Sequence, residues 1–198
     1  AVRAAQLGLS VVMIEAGSLG GTCLHNGCIP TKALLHAAEI ADSVREASTF
    51  GIEATLGGVD MTAVNKYKDE VVAGLYRGLQ GLVASREIEL VAGRGRVVDD
   101  RTVEVELADG GIGTYRGEAL VLATGSQPKS LPGLNIGGSV MTSDRALELD
   151  HVPDSVVVLG GGVIGCEFAS VWTSLGAHVT IVEAAATLLP TEDPWTTK

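Results

Sequence analysis

The sequence predicts an α/β fold of parallel strands and crossing helices, with a small antiparallel meander in its middle. Three observations point there. A stretch near the N-terminus recurs near the C-terminus at a constant offset of 168 residues. The second copy follows a glycine-rich turn that joins an apolar strand to a helix, and residues 88–116 read as short strands, with Val103, Val105 and Leu107 alternating with Glu104 and Glu106 before a turn signal. Composition agrees: of 198 residues, 46% are hydrophobic and 19% charged, enough for a core and too apolar for a disordered polymer. Fourteen basic against 24 acidic side chains leave a net charge of −10, which argues against nucleic-acid and anionic-membrane partners. No apolar run reaches the roughly 18 residues of a membrane span. Ala1–Gly8 has no signal-peptide core. Three cysteines make no disulfide scaffold, so paired ones are expected to be redox-active in a reducing cytoplasm.

The elements follow in order. Ala1 to Leu7 forms helix readily, Gly8 can end it, and Val11–Ile14 reads as a buried strand. Leu7-Gly8-Leu9-Ser10-Val11-Val12-Met13-Ile14-Glu15-Ala16 lines up with Leu175-Gly176-Ala177-His178-Val179-Thr180-Ile181-Val182-Glu183-Ala184. A second helix should run from Cys28 to about Glu46, with Pro30 in its first turn, where a missing N–H costs nothing. Met61–Arg86 reads as a long amphipathic helix whose polar half, including Lys66, Lys68, Asp69, Glu70 and Arg77, should be solvated. Ile88–Val91, Arg96–Val98, Thr102–Leu107 and Gly113–Arg116 read as the meander, with a hairpin turn at Asp109-Gly110. Ala119–Ala123 should return as a buried strand to a loop at Thr124. Lys129–Asp154, with Pro132-Gly133 and Pro153, is the expected linker.

The sharpest local pattern is Gly160-Gly161-Gly162-Val163-Ile164-Gly165, a G-x-G-x-x-G set between the strand Val156–Leu159 and the helix Cys166–Leu175. Strand, glycines, helix, strand and a terminal acid in that order make a dinucleotide-binding fingerprint. Gly160 makes the tight turn, Gly162 lets a pyrophosphate approach the backbone, and Gly165 packs helix on strand. The helix N-terminus supplies partial positive charge for the anion, and Glu183, 18 residues past Gly165, can accept ribose hydroxyls. Subtracting 168 puts the first copy's phosphate loop before Ala1. The chain is therefore expected to be a fragment of a protein with two such sites.

Gly20-Gly21-Thr22-Cys23-Leu24-His25-Asn26-Gly27-Cys28-Ile29-Pro30-Thr31-Lys32 carries a different chemistry. The glycines suit contact with a phosphate or ribityl chain. Cys28 at a helix N-terminus, with Lys32 one turn on, favours a thiolate. Cys23 and Cys28 could close a small reducible ring across the turn. Zinc binding by Cys23, His25, Cys28 and His36 lacks a second ligand pair, so no metal is expected. Two buried core cysteines are the remaining reading, and Cys166 is read as packing.

With these residues the chain resembles the pyridine nucleotide-disulfide oxidoreductases. Gly20–Leu35, in its Cys-x₄-Cys-Ile-Pro-x-Lys form, is similar to their redox-disulfide segment, and within the family to the dihydrolipoyl (lipoamide) dehydrogenases. Thr124-Gly125-Ser126 resembles the second flavin motif and Gly93–Gly95 the flavin-facing Gly-x-Gly turn. The resemblance implies an incomplete Rossmann-like FAD domain over residues 1–153, carrying the β-meander, and the start of a second Rossmann-like NAD domain over 154–198. It implies Cys23 as interchange thiol and Cys28 as flavin-side thiolate. Lys32 would lie beside the flavin, paired with Glu167 on the nicotinamide side. Glu15 would hold the FAD ribose, with Gly20, Gly21, Thr22, Gly95, Thr124, Gly125 and Ser126 along that cofactor. NAD would take Gly160, Gly162, Val163, Ile164, Gly165, Glu167 and Glu183. Implied partners are a lipoyl-bearing acyltransferase or a glycine-cleavage carrier protein, with a homodimer in the full-length protein. The catalytic His–Glu pair is expected beyond Lys198, and the isolated chain is expected to be inactive. A reductase acting on glutathione disulfide or Hg(II), and a non-catalytic dinucleotide-binding fragment, are the alternatives.

Overall fold

The structure, a computed structural model, describes residues 1–193 and Trp195. It has the mixed α/β architecture that the sequence predicts, and its contacts group into two units. Unit one is Ala1–Thr22 with Ala73–Gln127; unit two is Cys23–Val72 with Pro128–Lys198. These are divisions by packing, whereas the boundary at 153/154 divides by motif, and the one does not decide the other.

Unit one holds helix α1 (Val2–Gln6) and a sheet of order β1-β2-β3-β4: Val12–Glu15, Glu89–Val97, Thr102–Leu107 and Ile112–Arg116. Strand β2 changes partner along its length. Its first residues pair in parallel with β1, up to Glu15 opposite Ala92; from Gly93 opposite Leu107 it pairs antiparallel with β3. Val91, Val103 and Val105 are buried across this change, with Ile14, Leu107, Tyr115 and Leu120 packed on them. A second cluster gathers Leu19, Val83 and Ile88.

Unit two is built on helix α3 (Cys28–Glu46) against α6 (Val163–Leu175), with β5 (Ser155–Leu159) and β6 (His178–Val182) paired in parallel. A short helix α2 (Gly21–His25) crosses the boundary between the units, as does the long α4 (Met61–Ser85), and α5 is Ser143–Ala146. Leu34, Val171 and Trp172 are all but inaccessible at the centre of the second core, with Ala38, Phe168 and Leu175 around them. Burial of each large apolar side chain there contributes about 1.5–3 kcal/mol.

The repeat is visible in individual hydrogen bonds. Gly8 (φ 83°) and Gly176 (φ 113°) both end their helices in the left-handed conformation. The next N–H reaches back in each case, Leu9 to Ala4 O at 3.2 Å and Ala177 to Trp172 O at 2.8 Å. At the strand ends, Glu15 Oε1 accepts the Gly17 N–H at 2.8 Å and Glu183 Oε1 the Ala185 N–H at 2.7 Å. Every partner is displaced by the same 168 positions.

Several local expectations are corrected. Ala119–Ala123 is not a strand, and Val121 and Leu122 are exposed. An apolar strand needs a neighbour's N–H and C=O groups, and these residues pair with none of the described strands. The strands expected at Ile88–Val91 and Arg96–Val98 merge into one continuous β2, Glu89–Val97, so Gly93-Arg94-Gly95 lies in mid-strand rather than in a turn. Glycine there answers to packing. A Cβ on Gly93 would run into the Glu106 carbonyl and Val105, and one on Gly95 would sit 3.2 Å from Val103 and 3.3 Å from Ile14. Lys68 is buried rather than solvated, because residues 147–149 cover its face of α4. Its Nζ donates to the Leu147 carbonyl at 2.6 Å, while Asn65 Nδ2 donates to that of Leu149 at 2.9 Å. Among the described residues no helix is long and apolar enough to cross a membrane.

Candidate functional site

Two groups of predicted residues come together in unit two. The first is the thiol pair. Gly27 leads into α3 with no side-chain cap, so Cys28 stands in the first turn, where backbone N–H groups and the helix dipole favour negative charge. Thr31 ties that turn down through its Oγ1, which donates to the Gly27 carbonyl at 2.8 Å, and Pro30 is fully buried beneath it. Cys23, on α2, faces Cys28; both are exposed free thiols. A side-chain hydrogen bond with Cys28 raises the Cys23 pKa above its ordinary value; desolvation and Cys28 charge add to this, while a hydrogen bond from the Cys28 backbone and the charge of Lys32 oppose it.

Lys32, one turn along α3, donates through Nζ to Glu167 Oε1 on α6 at 2.7 Å. That bond raises the Lys32 pKa, and the nearby cysteines act in the same direction. The pair bridges the two helices that form this core. Among the described residues, no group of three His, Cys, Asp or Glu side chains is placed to hold a metal ion.

The second group is the glycine turn. Gly160 has φ 107°, which a residue with a Cβ adopts at a cost. A Cβ on Gly165 would strike the Gly160 carbonyl and press on Val158 at 3.2 Å, so this glycine lets α6 approach the strand. Around Gly162 there is nothing within 4 Å of a Cβ, and α6 has no side-chain N-cap. Open backbone and uncapped N–H groups suit an approaching phosphate. Glu183 closes the far side, its Oε2 accepting the Gly161 N–H at 2.6 Å. With Oε1 on Ala185, each carboxylate oxygen keeps a lone pair for a ribose hydroxyl. The bonds from Ala185 and Gly161 lower the Glu183 pKa.

Sequence reasoning missed the role of Gly161. Its carbonyl accepts the Leu189 N–H at 2.8 Å and the Cys166 Sγ–H at 3.3 Å, and Leu188 lies against its Cα. Leu189 takes φ 51° to make its bond. No signal announced this: Gly161 is an unspecified x of the motif, and Leu188-Leu189 follows the last predicted strand.

In unit one, Glu15 is half-buried at the end of β1. Gly20 and Gly21 follow it with φ 112° and 63°. Thr22 is exposed, as are Thr124, Gly125 (φ 86°) and Ser126.

The sequence profile described as "Pyridine nucleotide-disulphide oxidoreductase" matches residues 1–198. A dihydrolipoyl dehydrogenase of Bacillus subtilis (strain 168) is 42% identical over 98% of this chain, which spans 43% of that protein. The mitochondrial dihydrolipoyl dehydrogenase of Dictyostelium discoideum is 42% identical over 92% of the chain and 38% of its own length. The solved structure of the HOCl-induced flavoprotein disulfide reductase RclA from Escherichia coli is similar, with a TM-score of 0.75 and 32% identity over 98% of this chain and 41% of that one. LpdA from Mycobacterium tuberculosis has the same fold, with a TM-score of 0.86 at 24% identity, over 98% of this chain and 43% of that one.

Proposed function

We infer the function from one premise: the chain belongs to the pyridine nucleotide-disulphide oxidoreductase family. The reading best supported is dihydrolipoyl dehydrogenase chemistry in a protein of the length of its relatives. A dihydrolipoyl dithiol would be oxidised by a Cys23–Cys28 disulfide, and the electrons would go on to NAD. The observation that carries this reading is the pair of exposed thiols, Cys23 on α2 and Cys28 at the start of α3, with a lysine one turn on.

In the oxidised protein a substrate thiolate would attack Cys23 Sγ and break the Cys23–Cys28 bond, so that Cys28 leaves as a thiolate. The second substrate thiol would then displace Cys23 and give up its proton, forming the cyclic disulfide. The products are cyclic lipoamide, a Cys23 thiol and a Cys28 thiolate. Helix α3 and Lys32 stabilise that charge from one side. Bound FAD would supply the electron acceptor that links a dithiol couple to a hydride carrier. Glu15 would hold its ribose, with Gly20, Gly21, Thr22, Thr124, Gly125 and Ser126 near it. Gly95 fits that group least, since packing against Val103 and Ile14 already accounts for it. NAD would lie on Gly160–Gly165 with its ribose on Glu183. The space at Gly162 and the uncapped helix support that fit.

We place the whole protein in the cytoplasm as a homodimer serving a lipoyl-bearing acyltransferase or a glycine-cleavage carrier protein. The test is Cys28→Ser in the full-length protein, which should abolish NAD-linked dihydrolipoamide oxidation. Retained turnover would overturn the reading. The similarity to RclA favours a second reading, a flavoprotein reductase of another disulfide. Rates with lipoamide, glutathione disulfide and Hg(II) side by side distinguish the two.

A further inference from the structure

We propose that Asn26-Gly27 is a deamidation site that ages the thiol pair: loss of ammonia from Asn26 puts a carboxylate into the turn between Cys23 and Cys28 and slows the reactions of both thiols. The consequence rests on the thiol reading above, but the deamidation itself needs no cofactor. The chain has three asparagines, and the structure sets this one apart. Asn65 lies within α4, half-buried, with Nδ2 donating to the Leu149 carbonyl at 2.9 Å. Asn135 is exposed, but Ile136 follows it, and a branched Cβ crowds the peptide nitrogen between them. Asn26 is exposed in the short turn between α2, which ends at His25, and α3, which starts at Cys28. Its side chain has no hydrogen-bond partner among the described residues. Gly27 follows, with no Cβ to shield its nitrogen and with φ −144° and ψ −121°, outside the helical region. The Gly27 carbonyl is held, accepting the Thr31 N–H at 3.1 Å and the Thr31 Oγ1–H at 2.8 Å. The Asn26 side chain is thus the free member and Gly27 the anchored one.

In the reaction the Gly27 nitrogen attacks Asn26 Cγ and gives up its proton, the Cγ–Nδ2 bond breaks, and ammonia leaves. The five-membered succinimide then takes up one water. Opening at Cγ leaves aspartate; opening at the main-chain carbonyl leaves isoaspartate, in which the backbone runs on through Cβ and Cγ. No electrons change hands, and water is the only co-reactant. Either product carries a negative charge two residues before Cys28 and three after Cys23, within about 11 Å of chain at most. A like charge so near disfavours the thiolates, which are the reactive forms. Isoaspartate also adds one backbone atom to the loop that a Cys23–Cys28 disulfide would close.

The experiment uses the reduced 198-residue chain without flavin, held at mildly alkaline pH for several days. Peptide mass spectrometry follows the replacement of NH2 by OH at each asparagine. Asn26 should convert at least about tenfold faster than Asn65 or Asn135, since glycine leaves the imide ring unhindered. Asn26→Gln should stay intact, because its longer side chain closes a six-membered ring far more slowly. Asn26→Asp presets one product and is compared with the fresh chain. Its iodoacetamide alkylation at Cys23 and Cys28 should be about two- to threefold slower, the effect of one exposed charge at about 7 Å. In about 1 M salt that difference should shrink, as it would not if the turn were merely distorted. Asn26→Gln should alkylate at the wild-type rate. If Asn26→Asp fails to fold, aged chain separated from fresh by anion exchange takes its place in the same assay. Equal conversion of all three asparagines, a wild-type alkylation rate with the carboxylate present, or a slowing that salt leaves unchanged would overturn the proposal. These masses and rates are read without flavin or NAD. Failure of the dihydrolipoyl dehydrogenase reading would leave them as predicted, so the two can fail separately.

Discussion

The contrast between Gly165 and Gly162 makes a quantitative prediction. Replacing Gly165 by Ala puts a methyl group against the Gly160 carbonyl and 3.2 Å from Val158. The obstacle is backbone, itself held where the Gly160 N–H donates to the Val182 carbonyl at 2.8 Å. That carbonyl cannot swing aside as a side-chain end would. Overpacking of this kind costs about 3 kcal/mol, toward the upper end of the usual range. Ala in place of Gly within α6 returns about 1 kcal/mol of helix propensity. The net loss should be about 2 kcal/mol, or roughly 4–8 °C in Tm for a chain of this size. Gly162→Ala meets nothing within 4 Å, and its φ of −73° and ψ of −179° suit any residue. It should cost under about 1 kcal/mol, the N-cap preference of Gly over Ala. Trp172, 2% exposed on the same helix, reports both variants by its fluorescence in urea. If Gly165→Ala unfolds at the wild-type midpoint, or if Gly162→Ala is the more damaging, the assigned roles of the two glycines are wrong. In the full-length protein Gly162→Ala should keep its fold and lose dinucleotide affinity.

Other expectations follow from the same geometry. Cys23 and Cys28 should form a reversible disulfide with oxidised dithiothreitol, read as a loss of about 2 Da that is absent in Cys23→Ser; persistence of both thiols would refute it. In the full-length protein NAD should be preferred to NADP, because Glu183 repels a 2′-phosphate and Ala184-Ala185-Ala186 offers no arginine. The pair Glu183→Ala, Ala184→Arg should shift kcat/KM toward NADP, and equal use of both by the unaltered protein would contradict this. The lowered pKa of Glu183 means that the folded state binds its proton less tightly than the unfolded chain. Its stabilising contribution should be complete above about pH 4.5 and lost as the pH falls below that value. Glu183→Gln should flatten that part of a urea-midpoint profile. Lys68→Met keeps the buried stem but removes the charged donor to Leu147, and should cost about 1–2 kcal/mol in the same measurement.

What the sequence made legible was whatever repeats or whatever chemistry constrains locally. The 168-residue offset is carried by Leu, Gly, apolar strand and Glu, each of which does the same local work in both copies. The strand Thr102–Leu107 stood out because Val103, Val105 and Leu107 alternate with charged residues, and the burial follows that alternation. Lys68 was misread because amphipathic reasoning sees only one helix, and the 147–149 carbonyls that bury its head come from 79 or more positions away. Val121 and Leu122 failed in the opposite sense: an apolar run announces a strand, but a strand exists only where a neighbour offers its edge. At the thiols, position on α3 was readable from Gly27 and Pro30. The tether from Lys32 to Glu167 was not, since 135 residues separate them and only packing brings them to 2.7 Å.

The change of partner along β2 bears on how this protein comes apart. Because Ala92 and Gly93 are consecutive residues of one strand, peeling the hairpin from β2 disturbs the same backbone that pairs with β1. Val91 and Val105 also bury side chains in one shared cluster. Unit one should therefore open as a single cooperative block in native-state hydrogen exchange, with amides of β1 and β3 sharing one opening free energy. For a protein engineer this dictates where to cut. Inserted sequence belongs at Asp109-Gly110, where the turn is exposed and Gly110 already takes φ 83°. A break between Ala92 and Gly93 would split the block.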